Sequence, residues 1–234
     1  MTRVGIAAES ARDLPSLQHL TDRVLRRSSS NAELEWMGPE DSAWLDLHRA
    51  QRRARARGMR RYGHFNGEPA AADAMMFYAA LWLFAEESQP PSAVIVARDL
   101  DDLPERQLGF TQAATERTWP FTSIGALANP EVEAWYIVAW RPESPQDKAA
   151  LAAARQRLGF DPTLYPERLS SKREQDKRDA KRALRELCAT GRSAEERWAD
   201  APLEQLRQAG ERCGLSGFIA DLERLFPPRS QAAP

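Results

Sequence analysis

At 234 residues, 42% hydrophobic and 29% charged, the chain has the make-up of a globular protein with one substantial domain, or one domain and an appendage. A net charge of −1 predicts no partner from bulk electrostatics, so any charged partner must be read from local patches. No apolar run reaches the ~18 residues that span a bilayer. The N-terminus lacks a signal-peptide layout, so a soluble, cytoplasmic protein with no membrane contact is expected.

Cys188 and Cys213 read as buried free thiols. His19, His48 and His64 are scattered without metal-ligand spacing, which argues against a Cys/His zinc site. Neither a Gly-rich phosphate loop nor Gly-x-Ser-x-Gly occurs. Any chemistry therefore falls to carboxylates.

In chain order, Arg3–Ala8 reads as a short strand, followed by a helix over Asp13–Arg27 with Leu14, Leu17, Leu20, Val24 and Leu25 on one stripe. Ala32–Met37 alternates like a half-buried strand. From Gly38-Pro39 a helix is expected that becomes strongly basic. Arg61–Pro69 has turn chemistry throughout. The apolar stretch around Ala74–Ala85 suits a buried core helix, and Ala93–Ala97, with no polar alternation, suits a strand buried on both faces of a parallel sheet. An amphipathic helix follows from Leu103, then a fourth strand over Pro120–Ala128. Asn129–Trp140 reads as a helix with Asn129 at the N-cap and Pro130 at the first position. Trp135, Tyr136, Ile137 and Trp140 are expected in the core.

The alternation predicts an α/β fold with a mostly parallel, Rossmann-like sheet flanked by helices. After Pro142 and Pro145 the sequence turns helical and charged, with a long polar helix expected over Lys172–Leu187. The expected division is an α/β domain over 1–141, a helical C-terminal extension over 142–228 and a flexible tail over 229–234.

Ligands of such sheets bind outside the carboxyl ends of the strands. Glu9 follows the first strand, Asp99, Asp101 and Asp102 the third, and Glu131 and Glu133 the fourth. Carboxylates this close repel one another unless a cation is present, and magnesium takes oxygen ligands of this kind. The plainer alternatives are helix caps: Asp101 or Asp102 for the helix after Leu103-Pro104, and Glu131 and Glu133 as first-turn acids.

Taken together, "GIAAESARDLPSLQHL" followed by "AVIVARDLDD" resembles the Toprim domain shared by topoisomerases, primases and nucleases of the overcoming-lysogenization-defect (OLD) group. "NPEVEAW" and "YPERLSSKREQDK" resemble segments of small stand-alone Toprim-like bacterial proteins, several of them encoded beside an ATPase in defence-type loci. The resemblance runs from Arg3 to Trp140 and more weakly to about Leu187. It implies a nuclease using Mg²⁺ or Mn²⁺ on DNA or RNA, in antiphage defence or DNA repair, with an ATPase partner. Glu9, Asp99 and Asp101 would be catalytic. Those three with Glu131 and Glu133 would be the metal set, and Asp102 a bystander or cap. No glycine follows Glu9, where Ser10 stands.

Between Arg49 and Arg61 lie seven arginines (Arg49, Arg52, Arg53, Arg55, Arg57, Arg60 and Arg61) with no acid among them. Arginine grips phosphate bidentately, so this helix is the expected nucleic-acid contact, with Lys172 as an addition and Lys177 as a further candidate. The rival readings are a non-catalytic Toprim-like subunit of an ATPase complex and, less favoured, a flavodoxin-like phosphatase or receiver-like domain. Homo-oligomerisation is left open.

Overall fold

The computed structural model describes residues 1–28, 33–60, 65, 69–170, 176–189 and 191–227. Arg61, Lys172 and the 229–234 tail lie outside the described residues. The elements run β1 (Thr2–Ala8), α1 (Leu14–Ser28), β2 (Leu34–Met37), β3 (Leu45–Asp46), α2 (Leu47–Ala56), α3 (Ala71–Ala85), β4 (Ala93–Asp99), α4 (Glu105–Thr115) and β5 (Thr122–Ala128). Five further helices follow: α5 (Val132–Ala139), α6 (Pro145–Leu158), α7 (Ala180–Leu187), α8 (Ala194–Asp200), α9 (Leu203–Ala209) and α10 (Leu215–Leu225).

The expected α/β class is the observed one. The strands form one five-stranded sheet in the order β2-β1-β4-β5, with β3 also paired to β1. β1 runs parallel to β2 along Thr2–Gly5, to β3 along Ala7–Ala8 and to β4 along Val4–Ala7. Val4, Ile6, Val94, Ile95 and Val96 are fully buried, as continuous apolar runs in a covered parallel sheet should be.

Three helix boundaries differ from the sequence expectation. The segment after Gly38-Pro39 first turns and adds β3 to the sheet, so α2 begins only at Leu47, capped by Asp46 accepting from the His48 N–H at 2.9 Å. The last helix of the α/β alternation starts at Val132 with Glu131 at the N-cap, not at Asn129, and Asn129–Pro130 is a cis peptide. The polar helix begins at Ala180, where Asp179 caps it by accepting from the Arg182 N–H at 2.7 Å. No helix among the described residues is long and apolar enough to cross a membrane.

The chain packs as two compact units. The first holds Met1–Arg98, Leu103–Ala126 and the chain from Asp221; the second holds Asp99–Asp102 and Leu127–Ala220. In the first, α3, apolar but for Asp73 in its first turn and the Tyr78 hydroxyl, packs against α2 and α4. Two glycines let α3 approach closely, Gly5 on the β1 side and Gly109 on the α4 side: a Cβ on Gly5 would sit 2.7 Å from the Phe84 ring, and one on Gly109 2.8 Å from the Ala74 nitrogen.

In the second unit, Ile137, Trp140, Leu158 and Leu187 belong to one buried cluster. The Trp135 ring stacks on Phe218 at 5.6 Å, so Trp135, Ile137 and Trp140 are core residues as expected, while Tyr136 is half-buried against Trp198. Cys213 is a buried free thiol whose pKa is pushed up by burial to about 12; Cys188 is also free but only half-buried.

Candidate functional site

The acids after β4 and β5 are knitted together inside the second unit. The Leu100 N–H donates to the Ala128 carbonyl and the Asp101 N–H to the Pro130 carbonyl, each at 2.8 Å. The Val132 N–H donates to Asp99 Oδ1 at 2.9 Å, so Asp99 satisfies an open amide at the start of α5. Asp101 and Asp102 adopt left-handed backbone at φ 51° and 58°, a region short polar side chains tolerate best after glycine. Asp102 caps no helix: α4 begins at Glu105 without a side-chain cap, and the Asp102 carboxylate accepts instead from the Ser170 hydroxyl at 3.1 Å.

Glu131 is 2% exposed and accepts from Lys181 Nζ at 2.9 Å. Burial, followed by the charge of Glu133, raises its pKa to about 7 against the pull of Lys181. Burial likewise raises Glu133, whose Oε2 is buried without a hydrogen-bond partner. Burial works to depress Lys181, but its hydrogen bond to Glu131 and the charges of Glu133, Glu131 and Asp99 outweigh it and raise its pKa. One ammonium therefore faces three carboxylates, and burial, with the surplus negative charge behind it, keeps Glu131 partly protonated near neutrality.

The donor set suits a hard cation in its chemistry: carboxylate oxygens, one of them unpartnered, with negative charge in excess. Its arrangement is not that of a finished cage. Among the described residues no group of three or more His, Cys, Asp or Glu side chains is placed to hold a metal ion. Lys181 takes the Glu131 oxygen that an ion would use, so ion binding here requires that ammonium to move aside.

A pH effect follows. Because the folded state raises Glu131 from an ordinary 4.5 to about 7, the folded protein binds this proton more tightly than the unfolded chain. Stability from this group is fullest below pH 4.5 and is lost as pH rises towards 7, by about 1–3 kcal/mol. In chelator, the thermal midpoint should fall across that window. The fall should shrink in Glu131→Gln, which keeps an acceptor for Lys181.

Glu9 belongs to the first unit. The β1–β4 register pairs Ala7 with Val96, which sets Glu9 level with Arg98. Arg98 Nε lies 3.3 Å from Glu9 Oε1, and its Nη1 lies 2.5 Å from Asp73 Oδ1. The guanidinium also rests 5.7 Å from the Phe77 ring centre, and His48 Nε2 approaches Glu9 Oε1 to 4.0 Å.

The arginine run divides into two sets. Arg53 pairs with Glu40 at 2.6 Å, Arg57 with Glu87 at 2.9 Å and Arg49 with Asp46 at 3.1 Å. Those acids come from outside the segment that looks unbalanced in sequence. Arg52, Arg55 and Arg60 are exposed, with no ion pair to another described residue. Lys177 is exposed, and its carbonyl accepts from Arg157.

Comparison with protein-family models, curated proteins and solved structures returned no match. Lys181, Asp179, Arg98 and Asp73 went unmarked in the sequence reading. Arg98 could have been found, because it sits directly before Asp99 at a strand end. Lys181 and Glu131 are 50 positions apart, and no local pattern joins them.

Proposed function

We propose that the chain is a divalent-metal-dependent phosphodiesterase acting on nucleic acid, in keeping with its Toprim-like sequence. The observation that carries this is the cluster of Asp99, Glu131 and Glu133 about Lys181, with one Glu133 oxygen buried and without a hydrogen-bond partner among the described residues. Asp99, Glu131 and Glu133 would hold the ion, with Asp101 beside them on the same loop. When bound, Mg²⁺ or Mn²⁺ supplies an activated water and offsets charge on the phosphate. Lys181 stays cationic and offsets negative charge. Glu9 is paired with Arg98, and its part in the reaction is read from a Glu9→Gln variant. An ATPase partner, and a role in phage defence or repair, belong to the same proposal.

The test is a titration of Mg²⁺ and Mn²⁺ followed by thermal unfolding, alongside cleavage of mixed DNA and RNA. A site filled at a hundred times its Kd should stabilise the fold by about 2.7 kcal/mol, and Asp99→Ala/Asp101→Ala should remove that gain. If no nucleic acid is cut under either metal, the enzyme reading is lost.

A second reading, a non-catalytic subunit of an ATPase complex, is favoured by Leu164 and Tyr165, which are 59% and 38% exposed on the second unit. It predicts no divalent-ion binding and co-purification with an ATPase.

A further inference from the structure

In the first unit, α2 and Met76 of α3 line an open cleft of about 480 Å³, bordered by Leu47, His48, Gln51, Arg52, Arg55 and Met76. Its volume falls in the ~300–1,000 Å³ range of small-molecule sites. Leu47 and Met76 are 1% and 9% exposed and make an apolar floor. Every polar side chain of the lining comes from α2. Met76 Sδ also accepts from Arg98 Nη1 at 3.4 Å, while His48 reaches towards Glu9.

Neither of the two arginines here pairs with an acid among the described residues. Set three apart on a helix, Arg52 and Arg55 stand about 5–6 Å from each other at Cβ. That spacing lets them share one phosphate or grip two successive ones, each guanidinium offering its fork of donors. Gln51 offers an amide donor and acceptor for a base edge. The His48 ring and the Met76 thioether offer surface on which a base can lie.

Resting on the nucleic-acid reading above, we infer that this cavity takes one unpaired nucleotide of a single strand, with Arg52 and Arg55 on its phosphates and the base over the Leu47–Met76 floor. In a duplex each base is stacked and paired, so its entry would first require unstacking. The cavity therefore selects single strands, or frayed and looped positions, over intact duplex. The paired Arg49, Arg53 and Arg57 hold α2 in place and do not read the strand.

Fluorescence anisotropy with a labelled single-stranded oligonucleotide, and with its duplex, tests this on the full chain in chelator, where cleavage is blocked. The single strand should bind more tightly than the duplex. Arg52→Ala/Arg55→Ala should weaken it by about tenfold or more and lower the salt slope by roughly 1.4, at ~0.7 per lost contact. The thermal midpoint should hold, since both side chains are exposed, and Arg224→Ala on α10 should bind as wild type. Met76→Glu, which places an acid on the floor, should weaken the strand as strongly. Equal binding of duplex, unchanged affinity in the double variant, or equal competition by a poly-glutamate peptide or a free nucleoside monophosphate would overturn the inference. Because binding is read without metal, a protein that cuts nothing can still pass, so the two readings fail separately.

Discussion

On the proposed phosphodiesterase reading, Asp99→Asn should lower metal-dependent cleavage by roughly a thousandfold, about 4 kcal/mol of transition-state stabilisation, while leaving the fold intact. The asymmetry comes from the two things this side chain does. Its Oδ1 accepts from the Val132 N–H at 2.9 Å, and the asparagine carbonyl can accept the same bond. What disappears is one negative charge facing Lys181, and with it one oxygen suited to a divalent ion. Asp101→Asn should behave alike, because asparagine also tolerates the left-handed backbone found there. Thermal unfolding and cleavage measured on the same preparations separate the two roles. Undiminished cleavage in Asp99→Asn would remove Asp99 from the site. A collapsed thermal midpoint would mean that its charge serves the fold.

The sheet was legible because burial on both faces leaves a chemical trace. Val94, Ile95 and Val96 admit no polar alternation, and that alone marks an interior parallel strand. β3 left no such trace. Its two residues are strand only because Ala7 and Ala8 of β1 offer a free edge at that level, a long-range fact that local propensity cannot carry. The start of α5 was misplaced for a related reason. Asn129 and Pro130 are good helix-opening residues, yet the Pro130 carbonyl is committed to the Asp101 N–H and the first free turn begins beyond it.

The acids could be foreseen because the rule that ligands gather at strand carboxyl ends needs only the strand assignment. Their counter-charges could not. Lys181 is one of seven Lys/Arg between Lys172 and Glu186, and only packing selects it as the partner of Glu131. The arginine run shows the converse. Its charge looked unbalanced in sequence, yet Glu40, Glu87 and Asp46 neutralise three of its members.

Arg197→Ala should destabilise the protein by about 3–5 kcal/mol, because it strands a buried carboxylate. The side chains of Arg197 and Asp147 are each 3% exposed, and Arg197 Nη2 lies 3.0 Å from Asp147 Oδ2. Arg197 also donates to the Arg141 carbonyl and lies 5.0 Å from the Trp140 ring centre. Asp147 completes the capping box that starts α6, accepting from the N–H groups of Glu143 and Ser144 at 2.9 and 3.2 Å. Burial opposes its ionisation, but the Glu143 N–H and the hydrogen bond and charge of Arg197 prevail and hold its pKa below the usual 3.8. A depressed carboxylate contributes stability above its ordinary pKa and loses it as pH falls through the folded value, so acid below about pH 4 should weaken the wild type at this point. Arg197→Ala/Asp147→Asn should cost less than Arg197→Ala alone, since the double variant buries no uncompensated charge and asparagine keeps an acceptor for the cap. Denaturant unfolding followed by tryptophan fluorescence reads all three proteins. A double variant less stable than Arg197→Ala would show that the Asp147 charge serves the α6 cap by more than it costs when stranded.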